Sequence, residues 1–146
     1  MSVSKPAGRP LLKYKVHWHV MFTHFPISLY MASALFMVLH EFTLTACFEE
    51  AGFYLLLAAT AVLIPTTLTG WFTWKRQYKA ARTRIFTYKI RIAYAMLTLS
   101  ILLIPLRVVF IPLSHTTWHF IYAAGFVALF LGSLAEGYYG GRLNHR

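Results

Sequence analysis

The sequence is short of charge, of acid and of cysteine. Charged residues make up 12% of the 146, while 58% are apolar or aromatic, a balance outside that of a water-soluble domain. The acidic residues Glu41, Glu49, Glu50 and Glu136 are too few to pair with fourteen Lys and Arg, which leaves a net charge of +10. A single cysteine, Cys47, excludes an internal disulfide and a thiolate-rich metal site. Cys-x-x-Cys-His is missing, so haem of the covalently attached kind is excluded, and the lack of His-Glu-x-x-His sets aside zinc-protease chemistry. There is no evident internal repeat or low-complexity segment, and no series of alternating ten-residue strands that could close a barrel. The basic, proline-broken start is not followed by a compact apolar region and a small-residue cleavage pattern, so the first apolar segment is expected to be retained.

What is present is apolar sequence in lengths that suit a bilayer. Crossing a hydrocarbon core of about 30 Å takes roughly 20 helical residues. Four segments qualify, near 20–40, 52–74, 90–111 and 118–138, joined by short connections near 42–51, 75–89 and 112–117. Bilayers leave no water for unpaired backbone, so helices are the economical way across. The expected fold is an all-α integral membrane protein, a four-transmembrane-helix bundle over residues 20–138. A basic segment (1–19) precedes it and a short basic tail (139–146) follows.

Charge sorts the connections into two sides. Lys5, Arg9, Lys13 and Lys15 precede the first span, Lys75, Arg76, Lys79, Arg82 and Arg84 lie between the second and third, and Arg142 and Arg146 follow the fourth. With four spans all of these share one side. Glu41, Glu49 and Glu50 share the other, where only Arg107 dissents. The positive-inside rule then puts both termini in the cytoplasm. Basic runs beside apolar stretches match anionic headgroups better than nucleic-acid phosphates, so the expected partner is the lipid bilayer and not nucleic acid.

Seven histidines fall into two layers: His17, His19, His24 and His145 at the basic side, His40, His115 and His119 at the other. Two layers of imidazole are what a transmembrane di-haem cytochrome b, with its haems held non-covalently, would need. The bland alternative, imidazoles bonded to headgroups or to the last carbonyls of helices, holds for any one of them. His24 and His40 stand sixteen residues apart, ~24 Å along a helix, so they cannot serve one haem, and about 160° around a straight one, so they face different neighbours unless Pro26 bends it, which counts against a two-haem stack along this helix. His24 shares a stripe with Ser28, Met31, Ala32 and Leu35, suited to close approach of a helix or a porphyrin edge. It is the leading cofactor ligand and a metal-ligand candidate, with His145 ahead of His17 as partner in its layer. His40 and His119 are the candidates in the other layer. His119, four residues after His115, is also a metal-ligand candidate.

Glu136 is an ionisable group inside a span, and such groups face the bundle or water. It shares a face with Gly125, Ala128 and Gly132, a small-residue stripe expected to pack inward. Two readings stand: a buried ion pair with Lys89 or Arg91, or a proton-accepting site near a quinone or other substrate.

The segment from His17 through His24-Phe25-Pro26-Ile27 to Leu29 resembles the opening of a bacterial membrane-protein family known as domain of unknown function 2231, whose first helix carries His-Phe-Pro-Ile-Ala-Leu. Thr69, Gly70 and Trp74 are similar to the end of that family's second helix, and Gly132, Tyr139, Gly140 and His145 to its last. Lys89 stands where members often have a histidine. The resemblance implies a bacterial inner membrane and, since some relatives are joined to Rieske domains, electron transfer beside other membrane redox subunits. The leading expectation is therefore a small cytochrome-b-like protein or redox-complex subunit carrying haem b, with a quinone nearby. The alternatives are a cofactor-free accessory subunit and a small transporter.

Overall fold

The structure, a computed structural model, describes residues 18–77, 79, 83–110 and 117–144. These form four helices: α1 (Trp18–Thr43), α2 (Ala46–Gln77), α3 (Arg84–Phe110) and α4 (Thr117–Asn144), with no strand among the described residues. All four are long and apolar enough to cross a membrane. The all-α membrane bundle expected from the sequence is what is found, with helices longer than the apolar runs. α2 starts at Ala46, α4 continues to Asn144, and the first connection shrinks to Leu44 and Thr45. The helices span 26 to 32 residues, ~39–48 Å at 1.5 Å per residue, so their polar ends extend beyond an apolar core of about 30 Å.

Three of the helices contain a proline, yet each is continuous. Proline removes one backbone donor, and membrane helices tolerate this where hydroxyls engage the nearby carbonyls. Hydroxyls line the helix after Pro65 and bond back along it: Thr66 Oγ1 donates to the Val62 carbonyl at 2.7 Å, Thr67 Oγ1 to Leu63 at 2.8 Å, and Thr69 Oγ1 to Pro65 at 2.9 Å.

The helices form an up-and-down ring in which each packs on its two sequence neighbours and α4 closes on α1. α1 and α2 pack most extensively and α2 and α3 least. A Cβ at Gly52 would lie 3.2 Å from the Ser33 carbonyl oxygen, so glycine lets α1 and α2 approach closely, and Ser33 Oγ donates to the Gly52 carbonyl at 2.7 Å. The core is Tyr30, Met37, Phe53, Leu56, Leu63, Met96, Leu103, Tyr122, Phe126 and Leu129 with neighbouring alanines. Apolar side chains also cover the outside, among them Leu35, Val38, Leu68, Leu102, Val127 and Leu131. A bundle apolar both inside and out is one whose surroundings are lipid.

The polar groups within it are paired across helices. At mid-bundle Tyr30 Oη lies 2.8 Å from Ser100 Oγ and 3.4 Å from Thr60 Oγ1, tying α1 to α3 and α2. Toward the α1–α2 turn, Arg107 Nε and Nη2 donate to Glu49 Oε1 and Oε2 at 3.1 and 2.9 Å, and Tyr122 Oη donates to Glu49 Oε1 at 3.3 Å. The Arg107 guanidinium also lies 4.4 Å from the centre of the Phe53 ring. The basic residue that dissented from the charge pattern is thus neutralised by an acid of its own layer.

Candidate functional site

At the opposite end the bundle does not fill its own interior. α4 contributes Gly137, Gly140 and Gly141 there, and α2 contributes Thr66, Thr67 and Gly70, side chains too small to close the space between four helices. The result is a cavity of about 370 Å³, within the range of roughly 300–1,000 Å³ typical of ligand sites. α1 lines it with His24, Pro26, Ile27 and Tyr30, α2 also with Trp71 and Trp74, and α3 with Phe86, Lys89, Ile90 and Tyr94. His24 is exposed, so its imidazole stands where the cavity opens rather than at its floor.

Glu136 and Lys89 form the charged part of the wall. Lys89 Nζ donates to Glu136 Oε2 at 2.7 Å and to the Glu136 carbonyl at 3.3 Å. Of the two partners expected for Glu136, Lys89 is the one, and Arg91 is exposed on the outside of α3. Two residues along a helix turn about 200°, which carries Arg91 to the far face. The carboxylate's other oxygen, Oε1, is buried without a hydrogen-bond partner.

Two expected faces need correction. Ser28 is exposed and Leu35 is 58% exposed, so the His24 stripe does not lie against a neighbouring helix; α1 packs instead through Tyr30, Ser33, Ala34 and Met37. On α4, Gly125, Gly132 and Glu136 do face inward, but Ala128 is exposed. Three residues turn a helix by about 300°, leaving Ala128 some 60° off Gly125 at the edge of the stripe. Leu129 and Ser133 occupy the inward positions.

His40 and His119 meet at the far end of the bundle, with ring centroids 5.8 Å apart. Glu41 joins them, its Oε1 2.7 Å from His119 Nε2. Sequence reading named both histidines but not the carboxylate, which lies 78 positions away from His119 and becomes its neighbour only when α4 closes on α1. His17, His115 and His145 lie outside the described residues, as does the side chain of His19.

No protein-family model matches the chain, and neither a curated protein nor a solved structure resembles it significantly.

Proposed function

We propose that the protein is a membrane electron-transfer subunit that holds haem b in the cavity at the His24 end. The observation that carries this reading is the coincidence of two sets of residues. Of the residues that carry the resemblance to the His-Phe-Pro family, His24, Pro26, Ile27, Gly70, Trp74 and Gly140 line this one cavity, as does Lys89, where members of that family often have a histidine. The donor set suits a flat and mostly apolar ring: an imidazole at the opening, aromatic walls, glycines that admit a close face, and an ammonium able to meet a carboxylate substituent. His24 would hold the haem iron through its imidazole. His145, shortly after the cavity-lining Gly141, is the partner preferred over His17. Haem supplies one-electron chemistry, while the bundle sets orientation, dielectric and access.

The test is a reduced-minus-oxidised spectrum of the purified protein. An α-band is expected, and His24→Ala should abolish it without loss of the folded chain on gel filtration. A native protein with no haem signal would instead support a cofactor-free accessory subunit. A quinone is the second occupant with a specific observation behind it, since Lys89 and Glu136 stand together in the cavity wall, the ammonium able to donate to a quinone oxygen and the carboxylate able to accept from the hydroxyl of the reduced quinol.

A further inference from the structure

We infer that His40, Glu41 and His119 form a binding site for a divalent transition-metal ion of the zinc class, at the end of the bundle opposite the cavity. Their candidate ligand atoms, one imidazole nitrogen from each histidine and a carboxylate oxygen, all lie within 4.8 Å of one another. The site does not depend on the haem reading, because it shares no residue with the cavity.

The local fold prepares each ligand. α1 ends in a left-handed residue, Leu44 at φ 54°, whose N–H bonds to the His40 carbonyl at 2.7 Å, and the chain then turns so that the Thr45 carbonyl lies 3.0 Å from His40 Nδ1. Since a carbonyl only accepts, Nδ1 carries the proton and Nε2 keeps its lone pair. A backbone carbonyl behind the ring in this way is the usual outer partner of a metal-bound histidine. Glu41 follows directly on α1, and His119 enters from the first turn of α4.

The 2.7 Å contact between His119 Nε2 and Glu41 Oε1 is held by one shared proton. A divalent cation at that point displaces the proton to solvent and takes both lone pairs, with His40 Nε2 as third ligand. Bonds of ~2.0–2.2 Å in a tetrahedron separate donors by ~3.3–3.6 Å, more than the 2.7 Å contact of His119 with Glu41 and within the 4.8 Å that bounds the cluster. Two imidazoles and one carboxylate fill three of four positions and leave the fourth for water or a further ligand, the arrangement of an open zinc site. Glu41 is 40% exposed, which gives the ion a way in from bulk water.

The experiment uses the full chain in detergent, purified without a polyhistidine tag, with Zn²⁺ titrated against a chromophoric chelator and Co²⁺ read by its visible absorption. One equivalent should bind. His40→Ala and His119→Ala should each weaken binding by at least roughly 10–100-fold, since loss of outer partners alone has that effect, and Glu41→Gln should weaken it too. Glu50→Gln, an exposed acid at the same end, should leave it unchanged. Gel filtration confirms that each variant is folded. Absence of stoichiometric binding, or binding that survives both histidine substitutions, would overturn the site.

Discussion

A carboxylate inside an apolar bundle is held either by its structural partner or by its use, and Glu136 separates the two. Its pair with Lys89 has side-chain exposures of 13% and 20%, and the cavity beside it gives water a route to both. Breaking a fully buried pair costs ~3–5 kcal/mol, so a hydrated one should lose roughly 1–2 kcal/mol on Glu136→Gln. Lys89→Met should be non-additive with it in a double-mutant cycle, whereas Arg91→Met should add independently. If Glu136→Gln leaves stability unchanged yet stops proton uptake in the intact membrane, the carboxylate serves chemistry before packing. The glycines of the same helix divide in another way. A Cβ at Gly125 would lie 2.5 Å from Leu103 Cδ2, against a buried side chain, while one at Gly137 would meet nothing within 4 Å. Gly125→Ala should therefore destabilise the bundle by about 1–2 kcal/mol, overpacking outweighing helix propensity, and Gly137→Ala should stabilise it by up to ~1 kcal/mol. Unfolding in mixed micelles reads both; equal effects at the two positions would contradict the packing.

At the scale of the helices, sequence reading succeeded where one element sufficed and failed where two had to meet. Span number and approximate position follow from apolar run length, a property of a single helix in a solvent of fixed thickness. Helix ends do not, because residues such as Glu49 and Arg142 are polar and helical at once, and only the backbone hydrogen bonds count them in. Faces were harder still. With apolar residues on every side, no periodicity separates the core from the lipid, so Ser28 and Ala32 read as an interface when Ser33 and Gly52 make it. The inward turn of Glu136 was legible because burying a charge restricts its options, and Lys89 lay within reach of it. The cluster of Glu41 with His40 and His119 was legible only in part. Its three residues come from helices at opposite ends of the chain, and a lone exposed glutamate carries no mark of the histidine it will meet.

At the scale of the whole molecule, the two ends of the bundle differ in chemistry, and the membrane must decide which faces the cytoplasm. One end carries Lys75, Arg76, Lys79, Arg84 and Arg142, with Lys75 Nζ 3.8 Å from the Trp71 ring centre, the pairing of cation and aromatic expected at a headgroup boundary. The other carries Glu41, Glu49 and Glu50, and its Arg107 is engaged by Glu49, so it adds no free positive charge. The positive-inside rule therefore predicts that the α2–α3 connection is cytoplasmic and the α1–α2 turn is not. Cys47, exposed in the first turn of α2, is a native reporter for one end, and Thr83→Cys in a Cys47→Ser chain reports the other. A membrane-impermeant maleimide added to intact cells should label the native chain and leave the Thr83→Cys chain unlabelled until the membrane is opened. Labelling of both from the same side would remove the four-span arrangement. The reverse pattern would keep four spans and invert them, moving the His40–Glu41–His119 cluster to the cytoplasm and the His24 cavity to the outside. The metal site would then draw on a cytoplasmic pool kept scarce by competing ligands, and a haem at His24 would exchange electrons with partners across the membrane from those expected here.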